Sequence, residues 1–200
     1  RHRHRALQLV MRAACMGVML LLGVAVMAAP AVAQPDVSRR AGSTVADADV
    51  PGWRWQPSDL DDALFDAIRQ RSAQAGLDRV LPPVLLDVRA SHWKLPVPAF
   101  PGEAAPSIDP ASPGVPQFDL IYCANMLHIA PWACCAGLMQ GAARHLAPDG
   151  LLVTYGPYLE HAVPTAPGNL AFDADLRQRN PAWGIRHLSD VEREAKAAGL

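Results

Sequence analysis

Apolar runs that alternate with helix-periodic stretches predict an α/β domain with a doubly wound, mostly parallel sheet, preceded by a hydrophobic N-terminal segment. Three observations carry this expectation. Val84-Leu85-Leu86-Asp87-Val88, Phe118 to Asn125 and Leu151 to Tyr155 are short and almost wholly apolar, the pattern of strands covered on both faces. Around them, apolar residues recur at helical spacing. A basic flank followed by an apolar core opens the chain.

The 200 residues suit one domain plus an extra segment, and half of them are apolar, enough to build a core. A formal net charge of −1 gives no general reason to expect a polyanionic partner, so no nucleic acid is expected. Cys15, Cys123, Cys134 and Cys135 lack zinc-ligand spacing, and no histidine cluster completes a set. Buried free thiols are expected instead of a metal site, and they suit a reducing compartment.

Residues 1–33 read as a signal-peptide-like hydrophobic segment. Arg1, Arg3, Arg5 and Arg12 flank the run Met16 to Met27, and Ala31-Val32-Ala33 before Gln34 matches an export cleavage site. The run is short for a bilayer span, so a cleaved signal is expected over a permanent anchor, with Met11 as a natural start. A genuine signal implies an exported or periplasmic protein, with membrane contact only through this segment if it is retained. A wrong gene start implies a cytoplasmic one. Residues 34–50 are small and polar without periodicity and read as a linker; residues 51–200 form the domain.

Within the domain, Trp53-Arg54-Trp55-Gln56 is expected as a short strand ended by Pro57. Leu60, Leu64, Ala67, Ile68 and Ala75 keep helical spacing, and Gly76 is placed for a C-terminal cap. The strand Val84–Val88 follows. Residues 89–117 contain seven prolines and no period, which predicts a long surface loop. After the strand Phe118–Asn125, Pro131 suits a first helical turn, and Cys135, Leu138, Met139, Ala142 and Leu146 form one apolar stripe. His145 to Gly150 stops that helix and turns into the strand Leu151–Tyr155. Ser189-Asp190-Val191-Glu192 has the form of a capping box for a last helix that runs into Gly199.

Ligands of such sheets sit beyond the carboxyl ends of the strands, so Asp59, Asp87 and Asn125 are the polar residues to weigh. A carboxylate there can accept both hydroxyls of a ribose, and an acid one strand on can accept from an adenine amine. For Asp59, capping the following helix serves as well.

Several motifs resemble one branch of the class I S-adenosylmethionine (SAM) dependent methyltransferases, a branch catalogued as a domain of unknown function. They are Trp55-Gln56-Pro57-Ser58-Asp59, Leu81-Pro82-Pro83 leading to Leu86-Asp87-Val88, and Cys123-Ala124-Asn125-Met126-Leu127-His128-Ile129-Ala130-Pro131-Trp132. Pro148-x-Gly150-Leu151-Leu152, Tyr155-Gly156-Pro157-Tyr158, Thr165-Ala166-Pro167-x-Asn169-x-x-Phe172-Asp173 and Asn180-Pro181-x-Trp183-Gly184 continue the pattern in order. The resemblance implies a Rossmann-like sheet of the class I methyltransferase type, SAM as cofactor and methyl transfer to a small-molecule acceptor. It also implies roles. Asp59 would bind the ribose diol, Asp87 and Val88 the adenine, and Asn125 and Met126 would lie beside the methionine part. His128 would face the acceptor as a base, and Tyr155, Tyr158, Asn169 and Asp173 would shape the acceptor pocket. Helix capping for His128 and core packing for the two tyrosines remain open alternatives.

The family pattern has a strand and a Glu-x-x-x-Gly-x-Gly loop upstream of Trp55. Here Ala41-Gly42-Ser43-Thr44 is the small-residue cluster in that region, and no apolar strand precedes it at the right distance. The expectation is therefore an incomplete sheet without a central strand and weakened SAM binding. That leaves either an impaired methyltransferase or a non-catalytic exported or envelope protein that reuses the half-domain. Asn125 is followed by Met126-Leu127 and not by a Pro-Pro-aromatic run, which argues against methylation of nucleic-acid amines.

Overall fold

Five strands, β1 (Gly23–Ala28), β2 (Arg54–Asp59), β3 (Val84–Leu85), β4 (Phe118–Ala124) and β5 (Leu146–Tyr155), form one sheet in the order β3-β2-β1-β4-β5. The structure is a computed structural model that describes residues 23–28, 54–96 and 115–200. Helix α1 (Phe65–Gln74) joins β2 to β3, and α2 (Ala133–His145) joins β4 to β5. Both joined pairs are parallel and lead outward in opposite directions, so right-handed crossovers put α1 and α2 on opposite faces. Helices α3 (Pro167–Arg179) and α4 (Leu188–Ala198) follow, with a second sheet of β6 (Tyr158–Leu159) and β7 (Arg186–His187).

The gap expected at the centre of the sheet is filled, but by an antiparallel strand and not by the parallel strand of the family pattern. β1 comes from the hydrophobic segment and pairs with β2 on one side and β4 on the other, antiparallel to both. An extended segment here satisfies two strand edges whose amides and carbonyls would otherwise go unpaired. The rest of that segment, Cys15, the Ala31–Ala33 cleavage pattern and the linker lie outside the described residues. Among the described residues no helix is long and apolar enough to cross a membrane.

The core lies between the sheet and the α2–α4 face. Ile121 and Cys123 of β4 meet Leu138, Met139 and Ala142 of α2 and Val191 of α4, all buried. Cys123, Cys134 and Cys135 are buried free thiols, and burial pushes Cys123 and Cys135 up to about 12, so neither is a thiolate at physiological pH. Two α2 glycines let neighbours approach closely. A Cβ on Gly141 would overlap the Trp93 indole, and one on Gly137 would stand 2.6 Å from the Val88 carbonyl.

Several expected elements differ in extent. β2 does not stop at Pro57 but runs on to Asp59. Trp55 and Asp59 turn their main-chain groups toward the β3 side, so the missing N–H of Pro57 falls on that flank, where Pro82 and Pro83 lie opposite. Gln56 Nε2 bridges the gap by donating to the carbonyls of Pro57 (3.0 Å) and Pro82 (2.7 Å). α1 begins at Phe65, and Leu60 and Leu64 are exposed; Phe65 and Ile68 are its buried residues. β3 spans only two residues, although Leu86 and Val88 beyond it are buried. The first part of the proline-rich stretch is core and not surface, with Trp93 and Leu95 buried. β5 starts early, at Leu146, and Ala147 to Gly150 bulge from the ladder between the pairs Phe118–Leu146 and Leu120–Leu151. The capping box is not formed: His187 is the N-cap of α4, and Ser189 instead faces His161.

Candidate functional site

Because β2 and β4 both run against β1, the carboxyl ends of β2, β3, β4 and β5 share one edge of the sheet. Register sets their heights. Val24 faces Ser58 on one side and Cys123 on the other, so the chain reaches Asp59 one residue past that row and Asn125 two residues past it. Leu86 N donates to the Asp59 carbonyl (2.7 Å), which draws the exit of β3 and the following Asp87 against the exit of β2.

Asp59 does not cap α1, whose N-cap is Leu64. Its Oδ1 accepts from its neighbour Leu60 N (2.6 Å), and its carboxylate also faces the Asp61 amide; partial burial, aided by the Asp61 charge, outweighs these bonds and raises its pKa. Asp87 is held rigidly. Arg89 Nε donates to Oδ1 (2.9 Å), Arg89 Nη2 to Oδ2 (2.7 Å) and Arg89 N again to Oδ1 (2.9 Å). The Arg89 guanidinium keeps this carboxyl below the usual carboxylate range. Val88 is buried, and its carbonyl accepts from Trp93 Nε1 (3.2 Å).

Asn125 sits in the left-handed region (φ 57°), which Asn tolerates better than most residues, and its N–H donates to the Tyr155 carbonyl (2.8 Å). Met126 is partly buried against the core. His128 is 6% exposed and is not a helix cap, since Trp132 is the N-cap of α2. Its carbonyl accepts from Gly184 N (2.9 Å), and its ring meets the edge of Phe172 with centroids 5.5 Å apart. Burial, and then the nearby Arg186 charge, lower the His128 pKa, so the ring is neutral near pH 7. His128 and Asn125 converge on Gly156: a Cβ there would stand 3.2 Å from His128 Nδ1 and 3.8 Å from Asn125 Oδ1.

The remaining candidates divide. Tyr155 ends β5 and is 48% exposed. Tyr158 donates its hydroxyl to Thr154 Oγ1 (2.6 Å), and burial pushes it up to about 12; this is the packed tyrosine with a satisfied hydroxyl. Asn169 is exposed on α3. One turn on, Asp173 accepts from Ile185 N (2.6 Å) and Arg177 Nε (2.8 Å), so it clamps α3 to the 180s segment. Burial pushes its pKa up, but these two bonds outweigh burial and the net shift is downward.

Asp59 and Asp87 therefore form one group and Asn125, His128 and Gly156 another, on opposite flanks of β1. One cavity lies between α1 and residues 77–82, and a second is lined by Trp132, Arg177, Arg186 and Arg193; neither is lined by Asp59, Asp87, Asn125 or His128. Sequence reasoning did not find Arg89 or Arg186 as neighbours of the site. Gly156 and Phe172 were visible only as members of the Tyr155–Tyr158 and Thr165–Asp173 motifs.

This geometry defines an open-sheet α/β protein whose polar residues gather at the carboxyl ends of its strands. Residues 44–200 match the family described as "Protein of unknown function (DUF938)", and the chain belongs to that family. Among solved structures it is similar to LaPhzM at 15% identity with a TM-score of 0.52, over 72% of this chain and 36% of that one. It is also similar to the YcgJ protein from Bacillus subtilis (16% identity, TM-score 0.49, 72% of this chain and 50% of that one). A third is CalO1, a methyltransferase in calicheamicin biosynthesis in its SAH-bound form (14% identity, TM-score 0.43, 63% and 30%). The LaPhzM likeness shows a shared fold. The chain spans between 30% and 50% of the length of these three proteins.

Proposed function

We propose that this domain takes part in SAM-dependent methyl transfer to a small-molecule acceptor. The observation that carries the proposal is the arrangement of Asp59, Asp87 and Asn125 at one sheet edge, within the motifs that resemble class I methyltransferases. SAM would supply an electrophilic methyl group on a sulfonium, for which alignment of the acceptor matters more than a metal.

The residues suit the adenosyl half of that cofactor. Asp59, which accepts from the Leu60 amide and faces that of Asp61, would accept from the ribose diol with its remaining lone pairs. Asp87, with its oxygens oriented by Arg89, would meet the adenine beside Val88, sharing them with the exocyclic amine. Asn125 and Met126 would border the methionine part. His128, neutral and next to Asn125, would take a proton from the acceptor at Nδ1 or Nε2, with Phe172 limiting water on one side. Tyr155 and Asn169 are exposed enough to contact an acceptor.

The methionine half is less well provided. A glycine-rich loop would have to leave a parallel central strand at this edge, whereas β1 enters here at Gly23 and leaves at the opposite edge. That observation favours the second reading, a non-catalytic member that keeps the scaffold. Isothermal titration with SAM and S-adenosylhomocysteine separates the two. Saturable micromolar binding is expected, weakened by about 1–3 kcal/mol in Asp59→Ala through loss of the charged acceptor. No binding at millimolar cofactor would leave only the second reading.

A further inference from the structure

We propose that the cavity between α3, β7 and the start of α4 is a binding site for a compact oxyanion, a phosphate or carboxylate group of a small ligand. The inference goes beyond methyl transfer and stands without it.

The cavity has a volume of about 280 Å³, and Trp132, Arg177, Ile185, Arg186, His187, Asp190 and Arg193 line it. Roughly 300 Å³ is the lower end for ligand clefts, so it would take a small ion or the anionic end of a larger molecule. Three arginines from three elements meet here against a single lining carboxylate, Asp190. Asp173 answers Arg177 from outside the cavity, and Asp190 answers Arg193 (2.9 Å); Arg186 feels the Asp173 charge but makes no salt bridge among the described residues. Three guanidinium groups against two carboxylates leave an excess of positive charge at the cavity wall, which an anion would offset.

Arg186 is built in rather than mobile. Its Nε donates to the Leu127 carbonyl (3.0 Å), and its Nη2 to those of Ala130 (2.7 Å) and Ala182 (2.7 Å). The guanidinium lies over Trp132, 5.6 Å from the ring centroid. Nη1 has no hydrogen-bond partner among the described residues, so a donor of a fixed fork remains for a ligand. His187, another lining residue, has a buried Nδ1 with no partner, and as N-cap of α4 it offers no side-chain bond to the first-turn amides. A positively charged fork, an unfilled imidazole nitrogen and uncapped amides all suit an oxygen-rich anion.

Because Arg186 grips the carbonyls of Leu127 and Ala130, on either side of His128, an anion bound there would tighten the same loop.

The test is titration of the full chain at low ionic strength with inorganic phosphate, with acetate in parallel, and with sodium chloride to match ionic strength. Saturable heat with phosphate or acetate but not chloride is expected, the tighter of the two identifying the group. Arg193→Gln and Arg177→Gln should each weaken binding about tenfold, the size of one charge-assisted contact. Asp190→Asn, which removes the lining carboxylate, should strengthen it. Binding equal in wild type, Arg193→Gln and Asp190→Asn would overturn the proposal, as would indifference of the wild type to both oxyanions. Circular dichroism of each variant separates loss of a contact from loss of fold.

Discussion

His128 and His145 are two buried imidazoles whose neutrality matters to the molecule. Burial chiefly lowers the pKa of both; the Arg186 charge adds to it at His128, while at His145 the bond to the Pro116 carbonyl (2.9 Å) opposes it. An unfolded histidine titrates near about 6.5. Below that pH the unfolded chain takes up protons that the folded chain refuses, so the stabilisation is complete above about pH 6.5 and is lost as pH falls through the folded values. Thermal midpoints should therefore fall between about pH 8 and pH 5.5, before the carboxylates titrate, and His145→Gln should flatten the slope. A wild-type midpoint constant over that range would contradict the burial of both rings. These two residues also mark the limit of sequence reading. His128 stood out within a specific motif, but its pairing with Asn125 across Gly156 depends on the adjacency of β4 and β5, which no local pattern states.

Helix α2 owes its packing to what two of its residues lack. Gly137 and Gly141 open a groove that receives the Val88 carbonyl and the Trp93 indole, and Trp93 in turn stacks on His145 (5.3 Å, 10°) at the end of the same helix. Both described ends of the proline-rich stretch, Trp93 and Pro116, thus meet at His145. Alanine is the better helix former by about 1 kcal/mol, yet at position 141 overpacking costs typically 1–3 kcal/mol. Gly141→Ala should accordingly lower stability in urea titration. Gly168→Ala in α3, where a Cβ meets nothing within 4 Å, should raise it by up to about 1 kcal/mol. The opposite signs are the point; a gain in both would mean that Trp93 does not sit against α2. Sequence periodicity found α2 readily because its stripe is strong. It missed α3 because that helix buries only Leu176, so no apolar period marks it. It stopped β2 at Pro57 because a proline's missing amide is a local fact, whereas its harmlessness here depends on Pro82 and the Gln56 side chain.

At the scale of the whole molecule, the sheet depends on β1. Five main-chain partners on each side tie Gly23–Ala28 to β2 and β4. The apolar run was plain in the sequence, but its membership of the sheet was not, because the same composition serves an export signal. Val26 pairs with both Gln56 and Ile121, so Val26→Pro removes a ladder bond in the middle of the sheet and should destabilise by about 3 kcal/mol or more. Thermal unfolding followed by circular dichroism reads this directly; an unchanged midpoint would show that another segment fills the centre. The same substitution should abolish any SAM binding, since it separates the flank carrying Asp59 and Asp87 from the flank carrying Asn125 and His128.

The position of β1 also bears on how the chain is made. The strand that must end up in the middle is synthesised before both of its neighbours, and the second of these is completed only after Phe118 to Ala124 leave the ribosome. Until then an apolar ribbon and two unpaired edges wait in a nascent polypeptide, and so non-local a pairing closes slowly. Refolding that is slow and prone to aggregation at high protein concentration, relieved by a holding chaperone, is the kinetic signature that this topology dictates.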